Sequence, residues 1–279
     1  MEGLTGGIPV ILRNTRNVGV TVISIADSLE PEWKDVSNEE GVQLNSEIRN
    51  LQIWSLHGWQ DILGLKKYKV KDEKFYRIVT NNSVLEISGG SKVFGGGGLI
   101  PVSDIKVGDE LNCSFPGLLA NYECTVQKDK VIKWANLGSV PNVVLNEPVE
   151  GIRLFLDNFS NGESKYRVVG MVKAMKLYYL AKSLFKRNVI EVIKNDRNHY
   201  HVTVEEEIKN VVSGVVKSRR GAVTSGRRGL VKKKRETGKE KKVSKVTLFE
   251  EFEYSGYVYT FVTKNGYYSA GIGELSVVN

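Results

Sequence analysis

From Ile8 to Ile25 the chain reads IPVILRNTRNVGVTVISI, two β-branched runs around the turn-forming residues Asn14 to Asn17. That pattern predicts a strand hairpin. The habit recurs from 52 to 112, where QIWSLHGWQDI, KFYRIVTNN and SVLEISGG are strand-length pieces, followed by FGGGG and then IPVSDIKVGDELN. The stretch Phe94 to Gly98 predicts a hairpin connection, because a phosphate-binding loop would continue into Lys-Ser/Thr and a helix and this one does not. The rhythm changes at Met171. In MVKAMKLYYLAKSLFKRN, Met171, Ala174, Met175, Tyr178, Ala181 and Phe185 share one helical stripe, with Lys173, Lys176 and Lys182 off it. Strands return with YVYTFV and close with GELSVVN. The succession predicts a mainly β domain, discontinuous in sequence and interrupted by a small α+β insert.

A length of 279 residues with 41% hydrophobic content is enough for a substantial core in one or two domains. No run approaches the roughly 20 apolar residues of a membrane span, and MEGLTGGIPVILRN lacks the basic start and apolar centre of a signal peptide. The expectation is an intracellular, unsecreted monomer that does not engage membranes. Cys113 and Cys124 alone make neither a disulfide framework nor a complete metal site, which points to a reducing compartment.

Charge is concentrated in one place. Between Lys217 and Lys245 stand 13 Lys and Arg against Glu236 and Glu240, a local +11, so the remainder carries −3 of the overall +8. Self-repulsion and the lack of apolar periodicity predict a flexible linker over 214–245. Arg219, Arg220, Arg227, Arg228, Lys232, Lys233, Lys234 and Arg235 are its candidate DNA contacts, through phosphates and without sequence preference, since no aromatic is present for a base to stack on.

Four stretches carry a family likeness: GLTGGIPVILRN, WSLHGWQDI with YRIVTNNSVLEISGGSKVF, PVSDIKVGDEL, and YSGYVYTFVTKNGYYSAGIGELSVVN. In order and spacing they resemble an intein, the self-excising element with the Hint (hedgehog/intein) fold, most of all the inteins in family B DNA polymerases of large DNA viruses. The resemblance implies a Hint domain from 1–116 and 246–279. It also implies flanking exteins, those of a DNA polymerase, as partners, no cofactor, and the cytoplasm or nucleus of a virus-infected host. In that family a first-residue Cys or Ser attacks the preceding carbonyl. A Thr and a His activate the amide, and a terminal Asn cyclises with histidine help.

Carried onto this chain, the nucleophile position is Gly3, and the family's Asp-Thr pair falls on Gly7 and Ile8. The Thr is Ser88, a hydroxyl that could substitute, and the His is Ser91, which supplies no imidazole. The acidic position of the tail is Thr260, the histidine region reads Gly266 and Tyr267, and the penultimate His is Val278. Asn279 alone is retained, and as written it has nothing after it to cleave, so the expectation is a chain that cannot splice.

Residues 117–213 resemble, more faintly, a LAGLIDADG homing endonuclease. GIRLFLDNFSNGES is like its second signature helix, but Asn161 precedes Gly162 where a carboxylate is expected, Asp157 and Glu163 read as surface charges, and no first signature helix reads between Asn121 and Pro148. That implies a remnant without cutting activity. A second reading, from a different class, is a non-catalytic nucleic-acid-binding module built on the same fold. His199 and His201 share a strand face without an evident third ligand, so no metal site is assigned, and His57 reads as a turn residue beside Trp54 and Trp59.

Overall fold

The structure is a computed structural model. It describes residues 2–16, 19–28, 33–36, 41–45, 48, 50–116, 126–160, 165–185, 187–192, 199–205 and 243–278. The chain enters through β1 (Leu4–Thr5), and the predicted hairpin follows as β2 (Pro9–Asn14) and β3 (Val20–Ser24), paired antiparallel. Strands β4 (Lys34–Asp35) and β5 (Val42–Asn45) lead to β6 (Leu51–Ser55), which turns into β7 (Gly58–Thr80). At 23 residues, β7 fuses the end of QIWSLHGWQDI with KFYRIVTNN, which the sequence suggests are separate strands. The joining LGLKKYKVKDE is itself strand-like: Tyr68 and Val70 point inward, while Lys69 and Lys71 are exposed.

Strands β8 (Val84–Ser88), β9 (Lys92–Gly95), β10 (Gly98–Pro101) and β11 (Glu110–Asn112) complete the first half, with the glycines of FGGGG turning β9 into β10. Near the other end, β15 (Val243–Thr263) runs antiparallel along β7, from Val246 opposite Thr80 to Thr263 opposite Ile62. β15 begins inside the stretch read as linker: Ser244 is buried opposite Leu111 of β11, and its hydroxyl reaches the side chains of Asn81 and Asn82. A strand edge in need of a partner therefore overrides the local charge pattern. Last come β16 (Tyr267–Ser269) and β17 (Ser276–Val278), paired with each other, and β17 also pairs with β9. These strands form one 14-stranded sheet among the described residues.

Between β11 and β15 lie α1 (Lys128–Asn136), α2 (Val149–Phe159), β12 (Lys165–Val169), α3 (Met171–Leu184), β13 (Arg187–Val192) and β14 (His199–Glu205). The three strands form a separate sheet in the order β12-β14-β13. Helix α3 starts where the sequence predicts, but it buries more than one stripe, since Leu177, Tyr179 and Leu180 are buried as well as Ala174, Met175, Tyr178 and Ala181. The reason is that α3 is covered on two sides. Tyr166, Val168, Tyr200 and Val202 of the small sheet share one apolar cluster with it, as do Ile11, Val20 and Val22 of the first hairpin. Helix α1 packs against α2 in the region where no signature helix reads. The free edge of β3 is closed by Asn146, whose amide accepts from the Val20 N–H at 2.6 Å and donates to its carbonyl at 2.8 Å.

Cys113 is buried beside the tail, bridged to Leu275. Burial, with Glu274 nearby, pushes its thiol up to about 12. An unfolded thiol ionises near about 8.5, so the stability contributed by the neutral buried form is complete below that pH and is lost as pH rises towards 12. In a Cys124→Ser background, Cys113 should resist a thiol reagent at pH 8 until denaturant is added. Fast labelling of the folded protein would contradict this burial.

Candidate functional site

Leu4 of β1 is held between Tyr259 of β15 and Ile87 of β8. That pairing carries the preceding residue, Gly3, to the end of β8. The Gly3 N–H donates to Ser88 Oγ at 2.9 Å and to Ser91 Oγ at 3.0 Å, and the two hydroxyl oxygens are 2.9 Å apart. Ser88 returns its own N–H to the Gly3 carbonyl at 2.9 Å. Both serines are buried, Ser88 as the last residue of β8 and Ser91 in the turn before β9. One residue upstream, the Tyr68 hydroxyl donates to the carbonyl of Glu2 at 2.6 Å. The Glu2–Gly3 peptide bond is thus engaged at both polar ends, by a phenol at its oxygen and by two hydroxyls at its N–H.

Gly3 is also sterically committed. A Cβ built there would lie 2.4 Å from Val258 Cγ1, 3.0 Å from the Tyr259 carbonyl and 3.2 Å from the Tyr68 hydroxyl. Val258 of β15 occupies the space into which a side chain at residue 3 would project. Thr260, two residues along β15, shares that face by strand alternation, and it pairs with Lys66 of β7. Gly7 opens onto a cavity of about 810 Å³ facing the first turn of α3, whereas Ile8 is fully buried in the β core.

The tail comes to the same turn. Tyr267 pairs with Val278, and Val278 pairs with Lys92. Lys92 follows Ser91, so one residue step separates the contact to Gly3 from the contact to the end of β17. His57 adds the imidazole of this region. The sequence places it in a turn next to packed indoles; Trp54 and Trp59 pack on each other at 5.3 Å, and the His57 ring also meets Tyr267 edge to face at 5.4 Å, with Phe94 against the same tyrosine at 5.2 Å. Sequence reading missed Tyr68 and Val258. The alternation of KKYKVK marks Tyr68 as an inward strand residue, but no one-dimensional signal marks what it faces.

Other candidates lie apart. His199 and His201 face away from the buried Tyr200 and Val202 in β14, and no group of three metal-ligating side chains occurs among the described residues. Asp157 sits in the last turn of α2. It adds to the effect of burial that pushes the Tyr166 phenol up to about 12. Asn161, Glu163, Asn279 and the basic residues Arg219, Arg220, Arg227, Arg228, Lys232, Lys233, Lys234 and Arg235 lie outside the described residues.

Among the described residues, the groups around Gly3 can hold and polarise a peptide bond, but they offer no thiol and no imidazole within hydrogen-bond reach of it. Their structural contribution can be measured. Ser88→Ala or Ser91→Ala alone leaves the Gly3 N–H one acceptor, whereas the double variant orphans a buried donor. It should destabilise the protein by about 1–3 kcal/mol, more than the sum of the single changes, in urea denaturation.

No protein-family model and no curated protein sequence matches the chain. Among solved structures, it is similar to the transcription factor IIB Mvu mini-intein, at 10% identity and TM-score 0.48, covering all of both chains. It is similar to the TvoVMA intein at 11% identity and TM-score 0.45, covering all of this chain and 98% of that one. An intein from a hyperthermophile is similar at 8% identity and TM-score 0.43, over 99% of each chain.

Proposed function

We propose that the chain is an intein-type protein-splicing element whose catalytic positions have been substituted. It would sit between two exteins, those of a viral DNA polymerase by the likeness of its motifs, and residues 117–213 would be a remnant of a homing endonuclease. The observation that carries the reading is the Gly3 amide. Four sequence stretches nominate Gly3, Ser88, Ser91, Thr260, Tyr267 and Val278, and Gly3 lies against both serines while Val278 pairs one residue further on. Splicing chemistry needs the two scissile bonds near each other and the first amide in contact with activating groups.

In this arrangement Ser88 and Ser91 hold the nitrogen side of the upstream bond and fix its orientation. Gly3 has no nucleophile, so the acyl shift cannot begin. Val278 puts an isopropyl group where imidazole would assist cyclisation of Asn279.

Fused between two exteins, the unaltered chain should stay intact. Gly3→Cys alone should also fail, because the new Cβ meets Val258, and overpacking of this kind costs about 1–3 kcal/mol. Adding Val258→Ala, Ser91→His and Val278→His should give cleavage products at both junctions on a gel. Ligated exteins from the unaltered chain, or no cleavage from the folded fourfold variant, would overturn the reading.

A further inference from the structure

Tyr68 has no counterpart among the positions nominated by sequence, yet it makes the shortest polar contact to the bond in question. Resting on the splicing reading, we propose that Tyr68 is a retained catalytic group of this centre, one that stabilises the oxyanion formed at the Glu2 carbonyl once residue 3 is given a nucleophile. Its hydroxyl is 2.6 Å from that oxygen and lies on the donor side of the hydrogen bond. A donor already in place needs no reorganisation when charge develops, and that is the condition under which such groups contribute most.

The ring is fixed by its surroundings. Tyr68 lies in β7 between Val42 of β5 and Val258 of β15, and it shares a small apolar cluster with Val70 and Phe75. Burial, reinforced by Glu73, holds the phenol well above its ordinary value, so it stays a proton-bearing donor throughout the working range. On the nitrogen side, Ser88 and Ser91 keep the amide from rotating away. The three hydroxyls together define the orientation of one peptide bond, a stronger requirement than filling a core would impose.

The step balances in a chain given a nucleophile by Gly3→Cys, room for it by Val258→Ala and a proton carrier by Ser91→His. The introduced sulfur bonds to the Glu2 carbonyl carbon while the oxygen takes negative charge opposite Tyr68. The proton given up by the introduced thiol passes by way of the imidazole of Ser91→His to the nitrogen as the carbon–nitrogen bond breaks, giving a thioester and a free amine. Dithiothreitol exchanges with the thioester and releases the upstream segment.

The test compares that three-residue background, carrying an upstream extein, with the same chain plus Tyr68→Phe, which keeps the ring and its packing. Dithiothreitol-dependent release should fall about 10²- to 10³-fold. In parallel, the unaltered chain carrying a ¹³C label at the Glu2 carbonyl should show that resonance moving upfield in Tyr68→Phe as the hydrogen bond is lost. Equal release rates would overturn the role of Tyr68 while leaving the splicing reading standing. No release from either chain, with the carbonyl shift present, would overturn the splicing reading and the catalytic role with it. An unmoved carbonyl resonance would overturn the contact itself.

Discussion

Replacing Lys182 by methionine should destabilise the folded protein by about 3–5 kcal/mol, because it leaves a buried carboxylate without its cation. Glu274, in the loop before β17, is 1% exposed. Its Oε1 lies 2.9 Å from Lys182 Nζ and 2.7 Å from the Tyr178 hydroxyl, both on α3. The backbone around it is also occupied: the Glu274 N–H donates to Ser83 Oγ and its carbonyl accepts from the Ser114 N–H. The carboxylate therefore cannot swing to water. Glu274→Gln added to Lys182→Met should recover most of the loss by removing the stranded charge. Urea midpoints for the two singles and the double close the cycle. A Lys182→Met loss below about 1 kcal/mol would mean that the ion pair is not sequestered.

Gly271→Ala and Gly273→Ala should each lower stability by about 2–5 kcal/mol, combining left-handed backbone strain with overlap that only backbone movement can relieve. Their φ angles are +86° and +97°. An added Cβ would stand 2.3 Å from the Val84 carbonyl oxygen at Gly271 and 2.1 Å from the Asn82 carbonyl oxygen at Gly273. The loop is pressed onto β8 because it supplies hydrogen bonds there. Gly271 N–H donates to the Pro9 carbonyl, and Ile272 exchanges two backbone bonds with Val84, each 2.8 Å. Gly97→Ala is the control, since no atom lies within 4 Å of its Cβ and its φ is ordinary. Thermal unfolding should separate the two loop variants from Gly97→Ala by many degrees, and equal midpoints would contradict the close approach.

Much of the architecture could be read in one dimension where each residue's surroundings are local. The hairpin of Pro9 to Ser24, the turn at FGGGG and the start of α3 all follow from patterns shorter than twenty residues. The failures have a common cause in contacts from far along the chain. Ser244 is buried because β11 needs a partner, and α3 hides a second face because β2 and β3 cover it. Lys182 looks like a solvated lysine until Glu274 arrives beside it. For the site, the family resemblance nominated Gly3, Ser88 and Ser91, but it could not disclose that Val258 fills the missing side chain's place or that Tyr68 reaches the Glu2 carbonyl. Those are facts of register between β1, β7 and β15.

The same register orders events in time. β1 lies between β8, made early, and β15, made much later, while β17 must find β9 across more than half of the chain. Pairings this distant in sequence fold slowly, because a long loop must close before any contact rewards it. During synthesis on the ribosome, the Glu2–Gly3 bond would have β8 and the hydroxyls of Tyr68, Ser88 and Ser91 available, but not the strand that clamps its other side. The clamp on that bond is thereby completed only when the tail arrives, and a chain truncated before β15 would hold the Glu2–Gly3 bond from one side alone.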